Sequence, residues 1–589
     1  MIPSRIRRDP MQFDSDTPLF FDGAFGTYYF SITGDEEPCE LANLKNADAV
    51  LNIHREYIAA GVQAIKTNTF GANPVLLPER DELRRVLSAG WSVAQQAVFG
   101  TDVCVFADIG GNDSDSAPDD YCAVAEEFLS LGAKNFLFET LPAYETLEPA
   151  LELIKRQSPD AFIIVSFAVS QDGYSKRGLS YKKLLSAASQ NPNVDATGIN
   201  CVCGPSHMLE LIRTAGRLDK PLSAMPNAGY PSSLNGRMIF EDNADYYAQR
   251  LADMYLAGAS ILGGCCGSTP EHIRRGIAAV KQVMGQPLLS EIGKDTGREP
   301  APEQKSKAAA FSRKMICVEL DPPLDADCSY VLTAAAQLKT AGVNLLTVAD
   351  SPLSRTRADS IMVAARIRRE VDIEVMPHLC CRDRNRIALK GCLLGAAFEQ
   401  IHHVLAITGD PLEMQRRREG VFNFNSFDLI SFIDSLNTDV LSDKPFLIAG
   451  ALNVNAAKFS VELDRARKKL DCGAKLLLTQ PIFSEAAAEN YLKAKQELPC
   501  SILAGVLPVA GYKNALFLTN EVSGIEIPEA VIESLRDQTP EEAARISVEY
   551  SMSIVRKVYA AADGFYIMTP LRKTNIVCGL IEQIRRLEE

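Results

Sequence analysis

The stretch ILGGCCGSTPEHI places two adjacent cysteines, Cys265 and Cys266, between glycines directly after an apolar run, and Cys201 in GINCVCGP follows another such run. Zinc favours thiolate sulfur, and a catalytic zinc keeps three protein ligands and one exchangeable position. Three thiols brought to one place would therefore make a metal centre. A redox pair or two inert core thiols are the competing readings of a bare CC dipeptide, so the elements carrying the cysteines must decide. The flanking glycines relieve crowding, because consecutive side chains face one ion only through an unusual turn. Cys203, two residues beyond Cys201, reads as structural. A second set of candidates owes nothing to sulfur. Glu319 in CVELDPP, Asp410 in AITGDPL, Gln480 in LTQPIF and Tyr512 in VLPVAGYKNA each set a polar side chain at the end of an apolar run. Any one such carboxylate is commonly a solvated loop residue, whereas several on strands of one barrel would converge. The pair Cys380 and Cys381 in HLCC finds no third thiol in its half and reads as structural.

The elements that must position these residues alternate regularly. Short β-branched runs separated by helical-period segments appear as LFFDGAF, AIKTNTF, VCVFADIG, NFLFETL, FIIVSFAV, ATGINC, PLSAMPNAG and ASILGGCC. MICVELDPP, LLTVAD, IEVMPHLCC, HHVLAITGD, FLIAGALNVN, AKLLLTQPIF, SILAGVLPVA and GFYIMTPLR repeat the count. Strand-then-helix repetition implies parallel sheets buried on both faces, and eight units are what a (β/α)8 barrel requires. The chain is thus predicted to be α/β, two tandem (β/α)8 barrels, with open doubly wound sheets as the alternative. Residues 285–310 are polar and rich in Pro and Gly, giving domains at 1–284 and 311–589 around a linker. In a closed barrel Cys201, after the sixth strand, and Cys265 and Cys266, after the eighth, reach the same rim, and this favours the metal reading.

Composition narrows the partners. The 589 residues carry a formal charge of -14, with 47% hydrophobic and 23% charged residues, as in an ordinary globular chain. An acidic balance without a long basic block argues against nucleic acid and anionic membranes. No run reaches a membrane span and the polar start MIPSRIRRDP lacks a secretion signal's apolar core, so a cytoplasmic location is expected. Fifteen cysteines in such a compartment imply no disulfide framework. His54 and His272 read as packed or partly exposed helix residues and not as ligands, and the adjacent His402 and His403 face opposite ways on a strand, so they cannot both bind one ion. The run QRRREG reads as a solvated loop, with attraction of a polyanionic tail or a phosphate as its alternative.

Through most of residues 18–284 the chain resembles the homocysteine S-methyltransferase family, on GINC, GGCCG, FDGAFGT, IHREYIAAGVQAIKTNTFGAN, the Glu139-Thr140 pair and PNAG. The resemblance implies zinc on Cys201, Cys265 and Cys266, with Asn227 as a weak fourth ligand that homocysteine displaces. It also implies that Asp22 and Glu139 hold the amino-acid end of the substrate. A free thiol titrates near pH 8.5 and only its thiolate is a good nucleophile, so metal coordination would supply that thiolate at neutral pH.

Over about residues 311–589 the chain is similar to methylenetetrahydrofolate reductase. This implies FAD bound at a barrel rim without a GxGxxG loop, with contacts from Thr347, His378, Thr408, Gly409, Asp410, Ser426, Glu462 and Lys469. Gln480 would contact the pterin of methylenetetrahydrofolate, Tyr512 would stack on pterin or nicotinamide, and NAD(P)H would be the reductant. Glu319 would act as the acid that opens the methylene bridge, and Asp410 would tune the flavin and favour the iminium ion. Asp321, Thr408 and Asn455 depart from the pattern of that family. Together the two resemblances imply a bifunctional one-carbon enzyme. Its methyl donor stays open, because the chain contains no cobalamin-binding DxHxxG motif. S-methylmethionine, S-adenosylmethionine and a methyl-corrinoid on a separate protein are the candidates. Two alternatives remain: a half that binds without turnover as scaffold or regulator, and an acceptor that is another small thiol or selenol. Oligomeric state, a homo-oligomer included, is not fixed by the sequence.

Overall fold

The structure, a computed structural model, describes residues 17–286 and 314–588 apart from 113, 115, 217, 231, 235–236, 241–242, 353–354, 411–419, 457, 522–524 and 526. The start MIPSRIRRDP, the linker from residue 287 on and QRRREG up to residue 419 lie outside the described residues. The chain divides into two compact units, Met1–Glu299 and Pro300–Glu589.

In the first unit the barrel strands are β1 (Leu19–Phe20), β2 (Ala64–Lys66), β3 (Cys104–Gly110), β4 (Asn135–Leu141), β5 (Phe162–Phe167), β6 (Ala196–Asn200) and β7 (Leu222–Met225). A short antiparallel hairpin, β8 (Ser232–Leu234) and β9 (Arg237–Ile239), precedes the last barrel strand, β10 (Ala259–Leu262). The sheet runs β1-β10-β7-β6-β5-β4-β3-β2, parallel throughout. Its two ends meet at a parallel bridge between Phe21 and Ala64, where Gln63 N donates to Phe20 O at 2.9 Å. The expected open-sheet alternative is therefore set aside: the strands close into a barrel.

Side chains alternate along a strand, so every second residue points into the barrel. Leu19, Phe21, Ala64, Phe106, Leu137, Ile164, Ala196 and Ile261 form the interior layer. One step of two residues towards the C-terminal rim replaces this apolar layer with Lys66, Asp108 and Glu139, and two steps from Ala196 reach Asn200. Helices cover the outside through apolar faces at helical spacing; Leu83, Val86, Leu87, Val93, Ala94 and Ala97 do so from Arg80–Val98.

The second unit repeats the plan with β11 (Met315–Leu320), β12 (Leu345–Val348), β13 (Glu374–Cys380), β14 (His403–Ile407), β15 (Leu447–Leu452), β16 (Leu476–Pro481), β17 (Ser501–Val506) and β18 (Gly564–Met568), a closed parallel barrel. Cys317, Leu345, Met376, Leu478 and Tyr566 belong to its interior. The next inward positions are Glu319, Thr347, His378 and Gln480. Between β17 and β18 three helices, Tyr512–Glu521, Glu529–Ser534 and Pro540–Val558, gather around a cluster of their own that includes Phe483, Val509, Ile525, Ile527 and Ile532. Among the described residues, no helix is long and apolar enough to cross a membrane.

Candidate functional site

The loops after β6 and β10 bring the sulfur atoms of Cys201, Cys265 and Cys266 within 4.8 Å of one another. Cys201 Sγ lies 3.7 Å from Cys266 Sγ. The backbone is bent to achieve this. Cys201 and Val202 both adopt left-handed conformations, φ 58° and 60°, which cost a non-glycine residue about 1–2 kcal/mol each. Cys201 N donating to Met225 O at 3.1 Å helps to hold that turn. The CC loop is fixed by Cys265 N to Pro226 O and by Ala228 N to Cys266 O, both 2.9 Å, and by Ser268 Oγ donating to Cys265 O at 2.7 Å. Gly264 admits this packing, since a Cβ there would sit 2.3 Å from Ser268 Oγ.

Asn227 lies in the loop after β7, between Pro226 and Ala228, which bond to the CC loop; its own N–H donates to Cys203 O at 3.0 Å. Its side chain is buried and Oδ1 has no hydrogen-bond partner among the described residues. Crowding suppresses thiol ionisation: hydrogen bonding to Cys201, then burial and nearby acidic groups, hold the Cys265 thiol pKa well above its usual range. Three sulfur donors and one unpartnered buried oxygen are a donor set that suits a thiophilic cation, whose charge would offset what burial costs the thiolates.

Beside the thiols stands a buried charge cluster. Lys66 Nζ is 3.7 Å from Glu139 Oε2, 3.9 Å from Asp22 Oδ1 and 3.4 Å from the carbonyl of Gly264, the residue before Cys265. Asp22 Oδ2 accepts from Lys66 N at 3.0 Å, and Asn200 Nδ2 donates to Glu139 Oε2 at 3.0 Å. Burial lifts the Asp22 carboxyl to about 7, opposed by the Lys66 charge. Asp108 is buried too and pushed well above the usual carboxylate range, with Oδ1 unpartnered among the described residues. The sequence reading named Asp22 and Glu139 and missed Lys66, Asp108 and Asn200. The alternation of their strands carried the signal, as each lies an even number of residues beyond an interior apolar side chain.

In the second barrel Glu319, at the end of β11, pairs in register with Thr347 on β12. Its carboxylate accepts a hydrogen bond from the Tyr566 hydroxyl of β18 and lies 3.5 Å from His378 Nε2 of β13. Burial raises Glu319 to about 7 against the lowering effect of Tyr566, and burial lowers His378 to about 3, so this imidazole is neutral. Thr347 Oγ1 and His378 Nε2 are buried without hydrogen-bond partners among the described residues. Tyr566 was not singled out by the sequence reading, although it shares the inward parity of its strand.

The remaining expected residues have their own surroundings. Thr408 Oγ1 accepts from Ser426 N at 3.1 Å, at the start of the helix Ser426–Asn437. Gly409 has φ 96°, and a Cβ there would meet Cys380 Sγ at 2.2 Å. Cys380 and Cys381 are both buried, and Asp410 and Gln480 are exposed. Glu462 accepts from Asn453 N at 3.3 Å and pairs with Arg465, while buried Lys469 donates to Ala451 O. Tyr512 carries the Arg536 guanidinium 4.5 Å above its ring. The structure thus gathers Glu319, Thr347 and His378 with Tyr566, whereas Glu462, Lys469 and Tyr512 contact other groups.

Residues 19–280 match the family model of homocysteine S-methyltransferase, and residues 305–585 match that of methylenetetrahydrofolate reductase. The methionine synthase of Mycobacterium tuberculosis is 29% identical over 311 residues, covering 46% of this chain and 26% of that protein. That of Mycobacterium leprae is 31% identical over 289 residues, covering 44% and 24%. The homocysteine S-methyltransferase of Escherichia coli is 25% identical over 299 residues, covering 44% of this chain and 94% of its own. The chain therefore spans about a quarter of the length of the methionine synthases it matches.

Proposed function

We propose that this chain, which joins a homocysteine S-methyltransferase domain to a methylenetetrahydrofolate reductase domain, is a bifunctional enzyme of one-carbon metabolism. The first domain, at residues 1–284, methylates homocysteine to methionine. The second, at 311–589, reduces methylenetetrahydrofolate to methyltetrahydrofolate with NAD(P)H, and residues 285–310 link them. The observation that carries the reading is the convergence of three thiols beside a buried carboxylate and lysine cluster.

Cys201, Cys265 and Cys266 would hold zinc, with Asn227 as the ligand that the substrate displaces. Bound zinc supplies the acceptor as a thiolate at neutral pH. Asp22 and Glu139 orient the amino-acid end, and Lys66 keeps their charge compensated in a buried setting. In the second domain Thr347, His378, Thr408, Gly409, Asp410, Ser426, Glu462 and Lys469 would hold FAD, which supplies hydride chemistry when bound. The orphaned Thr347 Oγ1 and His378 Nε2 suit a polar ring system. Glu319, whose pKa of about 7 keeps about half of it protonated at neutral pH, delivers its proton to the folate nitrogen so that the methylene bridge opens. Asp410 favours the cationic iminium that results, while Gln480 and Tyr512 flank the pterin. The fifteen free cysteines suit a reducing cytoplasm.

Purified protein supplied with homocysteine and, in turn, S-methylmethionine, S-adenosylmethionine and a methyl-corrinoid protein is expected to form methionine with one of them. No methionine with any donor would defeat the first activity. A reductase half that binds without turnover is favoured by one observation: Asn455 is engaged by its own fold, donating to Pro481 O at 3.0 Å. A colourless preparation that takes up no FAD would establish that reading instead.

A further inference from the structure

Lys66 is the last residue of β2 and points inward, one alternation beyond Ala64, with 5% of its surface accessible. A buried ammonium is tolerated only where charge or carbonyl oxygen compensates it. Here it bridges Asp22 Oδ1 at 3.9 Å and Glu139 Oε2 at 3.7 Å and faces Gly264 O at 3.4 Å. These distances exceed those of a direct charge-assisted hydrogen bond, about 2.7–2.9 Å, so the ammonium lies between the two carboxylates instead of closing on one.

The same two carboxylates are the groups assigned above to the amino-acid end of the acceptor, whose α-ammonium is the part that carboxylates attract, and this inference rests on that reading. An incoming α-ammonium gains from them only the part of their field that Lys66 leaves uncompensated, and it is repelled by Lys66 itself. A carboxylate on the acceptor experiences the reverse, since Lys66 attracts it. A lysine fixed at this point therefore takes over part of the role that an α-ammonium would play, and the site gains less from the amine of an amino acid than the same carboxylates would without Lys66.

We infer that Lys66 is a specificity-determining residue that widens the acceptor class from amino-acid thiols to thiol carboxylates without an α-ammonium. 4-Mercaptobutyrate, homocysteine without its amine, is the simplest member. The inference concerns binding: the metal that Cys201, Cys265 and Cys266 would hold would favour the thiolate form, the thiol proton being lost to solvent, and the carboxylate is drawn to Lys66.

The test is calorimetric titration of the zinc-loaded full-length protein with each thiol, in two buffers so that the released proton is counted. Wild type is expected to favour homocysteine over 4-mercaptobutyrate by less than about tenfold, and Lys66→Met to raise that preference by about tenfold or more. Lys66→Arg, which keeps the charge, is expected to leave the wild-type ratio in place. A wild-type preference for homocysteine of about tenfold or more, or an unchanged ratio in Lys66→Met, overturns the inference while leaving the thiol site intact. Should Lys66→Met not fold, the wild-type ratio alone decides. Binding of neither thiol to zinc-loaded wild type would overturn the reading of the site itself, and the inference with it.

Discussion

Replacing Glu319 by Gln keeps the size of the side chain and removes its ionisable group, and the effects on stability and on turnover are expected to have opposite signs. Burial raises the Glu319 carboxyl from 4.5 to about 7 in the folded protein. As pH rises through this window, the unfolded chain gives up its proton first, so the folded state binds more protons and its stability falls. Above pH 7 the loss is complete. A span of about 2.5 pH units at roughly 1.4 kcal/mol each gives about 3.5 kcal/mol, an upper figure because 21% of the side chain is accessible. The neutral amide of the Glu319→Gln variant would avoid that cost, and its oxygen still accepts from Tyr566. Denaturant unfolding of the second domain should therefore show the variant more stable than wild type by up to about 3.5 kcal/mol at pH 8.5 and little changed at pH 4.5. Folate reduction should fall by about 10²–10⁴-fold if Glu319 is the acid. A variant no more stable than wild type at pH 8.5, or one that keeps its turnover, would refute the reasoning.

Three further perturbations read other parts of the account. Tyr566→Phe removes the donor that stabilises the Glu319 carboxylate, so the alkaline limb of the reductase pH profile should move upward from about 7 by about one pH unit; an unmoved limb would count against the pairing. Burial without hydrogen-bond partners lowers His54 to about 3. The unfolded chain therefore takes up that proton first as pH falls below about 6.5, and the first domain should lose about 1.4 kcal/mol per pH unit from this residue alone. His54→Leu should flatten the acid slope of unfolding by that amount, and equal slopes would exclude the effect. Gly409→Ala should destabilise the second domain by about 1–3 kcal/mol, because its φ of 96° and the Cys380 sulfur 2.2 Å from the new Cβ both oppose it; an unchanged unfolding midpoint would contradict this.

What the sequence disclosed, and what it withheld, follows from how each feature is encoded. Both barrels were legible because each strand is a short apolar run followed by a helical period. The meeting of Cys201 with Cys265 and Cys266 followed from strand count alone, since the sixth and eighth strands of a closed barrel share a rim. Lys66 was hidden because a lysine ending a strand looks like a residue turning to solvent; only the parity set by Ala64, together with three carboxylates from other strands, buries it. Tyr566 was hidden in the same way, since an aromatic residue inside an apolar strand reads as core until Glu319 is found across the barrel. The first strand was legible in LFFDGAF, whereas the contact that closes the first barrel is a single bridge from Phe21 to Ala64 and leaves no pattern in the sequence. The helices between β17 and β18 build a satellite core from residues whose apolar pattern did not separate them from an ordinary connection.

Metal analysis of the purified wild-type chain beside Cys265→Ser tests most directly the claim that three distant cysteines form one binding centre. Wild type is expected to retain about one zinc per chain. The variant should lose it while keeping its folded circular dichroism and its flavin content. Zinc retained at the wild-type level in the variant would contradict the account.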